Sequence, residues 1–83
     1  MKITIESTDK VVEFEFTRAH TFSVPARVWQ GETDTGIPVQ VYVTRIAPEI
    51  PPDDTRNQQF AAELQETAAP RPTVQAIPLR MIL

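Results

Sequence analysis

Eighty-three residues, 41% of them apolar and 23% charged, suffice for one small domain spanning 1–83. A net charge of −3, with eight basic residues scattered from Lys2 to Arg80, lacks the concentrated positive footprint that phosphate neutralisation requires, and argues against nucleic acid as a partner. The chain has no cysteine, no apolar run of the roughly 20 residues a membrane helix needs, and no signal-peptide apolar core in MKITIES, so a cytoplasmic location is expected.

Two short stretches open the chain with period-two alternation. Ile3 and Ile5 alternate with Lys2, Thr4 and Glu6, and Val12, Phe14 and Phe16 alternate with Glu13, Glu15 and Thr17. Thr8-Asp9 between them offers a two-residue turn, which would set Ile5 opposite Val12 and Ile3 opposite Phe14. The turn lacks the glycine that primed types prefer. Phe22, Val24, Ala26 and Val28 then mark a third strand. A three-residue loop, Arg18-Ala19-His20, matches Phe16 to Phe22 and Phe14 to Val24.

A fourth strand carries Ile37, Val39, Val41 and Val43 at odd positions. Matching them to the even-numbered valines requires an even loop. Pairing Gln30 with Ile37 gives Val28–Val39, Ala26–Val41 and Val24–Val43, with Gly31 and Gly36 flanking a sharp tip.

Residues 47–52 form a proline-rich linker. Asp53 and Asp54 then supply candidate caps for a helix over 53–68, with Phe60, Ala61, Leu64 and Ala68 at helical spacing. Ala69-Pro70-Arg71-Pro72 ends it. The tail 76–83 alternates again at Ile77, Leu79, Met81 and Leu83, and predicts a last strand that returns by a right-handed crossover or pairs with a second subunit.

The expected architecture is α+β: a four-stranded antiparallel meander, one helix packed on its apolar face, and a C-terminal strand (β-β-β-β-α-β). The second sheet face would carry Arg27, Trp29, Gln40 and Tyr42, with Pro25 opposite Tyr42 and Trp29 opposite Pro38. Trp, Tyr and Arg are enriched at protein interfaces, so these four residues are the candidate partner-binding set. The alternative is that the tail or the 47–52 linker covers them.

Catalytic chemistry is sparse. His20 is the sole histidine and sits at an expected loop tip, and neither Ser7 nor Ser23 has a nucleophile-elbow context. The carboxylates of GETDTG and PPDDT match no metal-ligand spacing, and two glycines cannot build a phosphate loop. No enzyme activity, catalytic residue, metal or cofactor is expected.

The opening MKITIEST, the VPARVWQGET…GIPV hairpin and the terminal AIPLRMIL together resemble small proteins encoded by bacteriophages and prophages. That resemblance implies a viral protein that binds and inhibits or modulates a host protein in the host cytosol, an anti-defence inhibitor such as an anti-CRISPR being one form. Two other readings remain open. One is a self-associating accessory protein, forming a homodimer through the C-terminal strand. The other is capture of a small ligand, such as a nucleotide, by Arg18, Arg27 and Arg45.

Overall fold

Where the sequence predicts two strands and a turn, the chain runs as one. In the computed structural model, which describes residues 1–17 and 21–75, strand β1 extends over Ile3–Thr17. It pairs antiparallel with β2 (Thr21–Thr33), which pairs antiparallel with β3 (Pro38–Val43), in the order β1-β2-β3. The sheet is therefore three-stranded, not a four-stranded meander. The expected strand 76–83 and the loop Arg18-Ala19-His20 lie outside the described residues.

Thr8-Asp9 does not turn because its polar groups are engaged across the sheet. Ser7 faces Trp29 and Val11 faces Arg27, so Thr8, Asp9 and Lys10 together oppose Val28 as a bulge. The Thr8 hydroxyl, fully buried, donates to the Val28 carbonyl at 2.6 Å and accepts the Lys10 N–H at 3.3 Å. Arg27 donates through Nη1 to the Thr8 carbonyl at 2.8 Å. A turn without glycine cannot compete with that set of partners. As a result Ile3 and Ile5 pair with Thr33 and Gly31, not with Phe14 and Val12. Beyond the bulge the expected register holds, with Phe14 opposite Val24 and Phe16 opposite Phe22.

The second hairpin departs from expectation at its tip. Gly36 adopts φ 87°, its N–H donates to the Thr33 carbonyl at 3.0 Å, and the Thr33 N–H donates to the Ile37 carbonyl at 2.9 Å. These bonds close a three-residue loop, Asp34-Thr35-Gly36, with glycine at the left-handed position. An odd loop reverses parity. Val28 now faces Tyr42, Trp29 faces Val41, Gln30 faces Gln40 and Glu32 faces Pro38. Even-numbered residues of β2 and β3 share one face, and odd-numbered residues share the other.

The even face is the core. Val12, Ala26, Val28 and Val74 are its buried hydrophobics among the described residues, with Tyr42 packed against them. Ile3, Ile5, Val39, Val41 and Val43, expected in the core, lie at odd positions on the other face.

The helix is shorter than predicted. α1 spans Arg56–Glu63, and none of its residues is buried, so it is not packed as a lid on the core face. Asp54 organises its start. Its carboxylate accepts the Arg56 N–H at 2.8 Å and grips the Arg56 guanidinium at 2.7 Å. After Leu64, i→i+3 bonds from Gln65 and Glu66 tighten the chain. Ala68 then docks on the outer edge of β1, donating to the Ser7 carbonyl at 2.9 Å and accepting the Asp9 N–H at 3.2 Å. That docking removes Thr67 and Ala68 from the expected helix.

From Ala68 the chain crosses the even face. Pro70 and Pro72 have no N–H, so few donors need partners there. Gln30, 4% exposed, accepts the Arg71 N–H at 2.8 Å and donates to the Ala69 carbonyl at 3.2 Å. Its cross-strand neighbour Gln40 treats Gln75 the same way, accepting its N–H at 3.1 Å and donating to its carbonyl at 2.6 Å. Tyr42 also donates to the Gln75 carbonyl, at 3.2 Å. Two glutamines standing side by side on the sheet thus hold residues 69–75 over the core, and Val74 is buried in one cluster with Val12, Ala26 and Val28.

Candidate functional site

The four residues expected to form one partner-binding face are divided by the sheet. Arg27 and Trp29 lie on the odd face, whereas Gln40 and Tyr42 lie on the even face, bonded to Gln75. Pro25 stands opposite Glu13, Trp29 opposite Ser7 and Val41, and Pro38 opposite Glu32. The expected aromatic pair on one surface does not exist, because the three-residue loop at Gly36 inverts β3. Gln40 and Tyr42 serve instead to fasten the crossing segment. The 47–52 linker is not what bonds them.

Arg27 and Trp29 do enter a site. A cleft of about 280 Å³ opens beside Trp29, lined also by Val11, Arg27, Val43, Arg45, Ile46 and Leu64. Leu64 reaches it because Ala68 is tied to the β1 edge and Ser7 donates from Oγ to the Glu66 carbonyl at 2.9 Å, holding the end of α1 near the sheet. Thr44–Ile46 arrive directly from the end of β3. Val11 is 55% and Ile46 is 48% exposed, leaving apolar surface at the rim.

The electrostatics of this cleft run against those of the chain. Two arginines, Arg27 and Arg45, line it, and none of its described lining residues is acidic, although the chain carries net charge −3. Arg27 is half-buried and oriented by its bond to the Thr8 carbonyl, so its cationic group is held in place with little side-chain entropy left to lose. Arg45 is exposed at the rim. A Trp beside apolar walls and fixed positive charge suits an aliphatic side chain next to a carboxylate.

Elsewhere the described residues offer little chemistry. A depression is lined by Glu6, Ser7, Gln65, Glu66, Thr67 and Ala68. Groups of three or more His, Asp or Glu close enough to hold a metal ion do not occur among the described residues. Asp54 has its pKa lowered by the Arg56 side-chain and backbone hydrogen bonds, which suits its place at the start of α1. No helix among the described residues is long and apolar enough to cross a membrane. His20 and Arg18 lie outside the described residues.

The sequence reading missed Gln30, Thr8 and Arg71. Signals for them were present: glutamines interrupting the valine alternation at Gln30 and Gln40, and an arginine between two prolines. No family model matches the chain, and neither the curated proteins nor the solved structures contain a match. The resemblance to phage-encoded proteins gains no support from these comparisons.

Proposed function

We propose that this protein is a non-enzymatic interaction module that binds a partner protein through the Trp29 cleft. The partner element is a peptide segment presenting an aliphatic side chain beside one or more carboxylates. The observation that carries the reading is the local reversal of charge: two arginines and a tryptophan with aliphatic walls, free of acidic lining residues, in an acidic chain. Such a site attracts an acidic segment and repels a basic one. A cytoplasmic setting belongs to the same proposal and rests on the cysteine-free sequence.

Trp29 is the sole tryptophan, so it reports its own site. Titrating short peptides of the form acidic–Leu–acidic should shift Trp29 emission saturably, and Arg45→Glu should weaken that binding at least tenfold while leaving the circular dichroism unchanged. An identical response from a basic–Leu–basic peptide, or no saturable change with any peptide, would refute the reading.

A further inference from the structure

We infer that the segment this cleft takes is the carboxyl-terminal end of its partner, with an aliphatic last residue. The inference rests on the peptide-binding reading of the Trp29 cleft and narrows it to one kind of segment. A terminal residue has three groups to place: its carboxylate, its side chain and its backbone N–H. The cleft holds a counterpart for each.

Arg27 serves the carboxylate. Its Nη1 donates to the Thr8 carbonyl at 2.8 Å, which holds the guanidinium in place. Thr8 is itself fixed, since its fully buried hydroxyl donates to the Val28 carbonyl within the bulge. Among the described residues the buried side-chain polar atom without a partner is Arg71 Nε, so the Arg27 N–H groups that Thr8 leaves unused are open to solvent. Nor is Arg27 neutralised from within: the ion pair among the described residues joins Arg56 to Asp54. A positioned guanidinium with open N–H groups suits two parallel bonds to one planar carboxylate.

Trp29 and Ser7 serve the other two groups. Trp29 is two residues from Arg27 along β2, so both side chains leave the strand on one face, roughly 7 Å apart. Val11, which faces Arg27, and Leu64 line the cleft with the indole and supply apolar contact for an aliphatic side chain. Ser7 faces Trp29 and lines the same cleft. Its hydroxyl proton is committed to the Glu66 carbonyl at 2.9 Å, which leaves lone pairs to accept a peptide N–H.

Geometry favours a chain end over an acidic side chain. In an extended segment successive side chains point to opposite sides, so a leucine entering the cleft turns its neighbours' carboxylates away from Arg27. A terminal carboxylate belongs to the same residue as the entering side chain and arrives with it. The volume, about 280 Å³, lies just below the roughly 300–1,000 Å³ of ligand pockets and suits one residue better than several. Acidic residues further back in the segment act at longer range, through Arg45 at the rim.

Titrating the full chain with four peptides, followed by calorimetry and Trp29 emission, tests the inference. The first is Gly-Ser-Gly-Ser-Gly-Leu as the free acid, and the second is its amide. The third extends the first by Gly-Gly, which keeps the charge but moves it off the leucine. The fourth is an amidated acidic–Leu–acidic peptide. The free acid should bind roughly tenfold or more tightly than the amide and the extended form. Arg27→Gln should abolish that preference with the β-sheet circular dichroism unchanged. Should Arg27→Gln misfold, the three leucine peptides still decide on the wild type alone. An amide or an extended form that binds within about threefold of the free acid overturns the inference. So does a preference for the acid that persists in folded Arg27→Gln. Under either result, binding of the fourth peptide leaves the wider reading of the cleft standing. Saturable binding by none of the four removes both.

Discussion

Replacing Gln30 by leucine tests the central packing claim, that paired glutamines fasten residues 69–75 over the core. Leucine keeps about the same volume but removes the acceptor for the Arg71 N–H and the donor to the Ala69 carbonyl. It also removes the 3.0 Å bond to Glu6. A buried polar group left without a partner costs about 1–3 kcal/mol, so two such groups on the segment set a cost of about 2–6 kcal/mol if nothing moves. The segment has a cheaper route. It can lift away, rehydrating both groups and exposing Val74, at about 1.5–3 kcal/mol for that side chain. The expected loss is therefore about 2–3 kcal/mol, a large share of the roughly 4–12 kcal/mol typical of a domain this long. Urea denaturation measures the loss, and amide exchange identifies the route. The Arg71 and Gln75 amides should exchange at least tenfold faster in Gln30→Leu, with a smaller change at Val28 in the sheet. Gln40→Leu should cost less, about 1 kcal/mol, because Gln75 is exposed and water can replace the lost partner. A Gln30→Leu variant within 0.5 kcal/mol of wild type, with Arg71 as protected as before, would refute the clamp.

The two glycines should separate steric from conformational strain. A methyl at Gly31 would lie 1.8 Å from the Thr4 carbonyl oxygen, so Gly31→Ala should cost about 2 kcal/mol or more and loosen the Ile3–Ser7 pairing seen by amide exchange. Gly36 has open space but φ 87°, so Gly36→Ala should cost only about 1–2 kcal/mol in denaturant melts, and Gly36→Asn less. Thr8→Val keeps the shape of a fully buried side chain and removes its hydroxyl bonds, for a loss of about 1–3 kcal/mol that Thr8→Ser should largely restore. The Asp54 carboxyl should titrate below its ordinary 3.8 in an NMR pH series, because Arg56 stabilises the carboxylate, and Arg56→Gln should return it toward that value. A depressed folded-state pKa means that any stability Asp54 adds is present above pH 3.8 and fades as pH falls through the lowered value.

Alternation made the strands legible, and composition limited the chemistry. Register was legible only where a strand had no competing polar partner. Phe14–Val24 and Phe16–Phe22 were correct because the apolar match there agrees with the connecting loop length. At Thr8 the same reasoning failed. Thr8 and Asp9 resemble turn residues in isolation, but their hydrogen-bonding groups are taken by Val28, Lys10 and Ala68, partners up to 59 residues away in the chain. At residues 34–36, matching valine to valine required an even loop, and the chain closes with an odd one. The site suffered the same inversion. Arg27 and Trp29 stayed together because they share a strand, whereas Gln40 and Tyr42 were lost to the other face with the rest of β3.

That inversion has a physical cause beyond the glycine. A segment crossing a sheet face brings backbone groups that need partners, and valines cannot supply them. With Val39 and Val41 turned inward, the Gln75 N–H and carbonyl would lose their side-chain partners and bond to water alone. With Gln40 and Tyr42 turned inward, each finds a partner. The same choice places three valines of β3 on the odd face, beside Ile3, Ile5 and Trp29, where only part of the surface is covered. The core face is thus completed by the chain's own proline-rich segment, and the apolar surface that remains is what the protein has left to offer a partner. Disrupting the clamp should therefore alter stability without altering peptide binding in the Trp29 cleft, and Arg45→Glu should do the reverse. If Gln30→Leu weakened peptide binding as strongly as Arg45→Glu did, the two faces would not be separate in function.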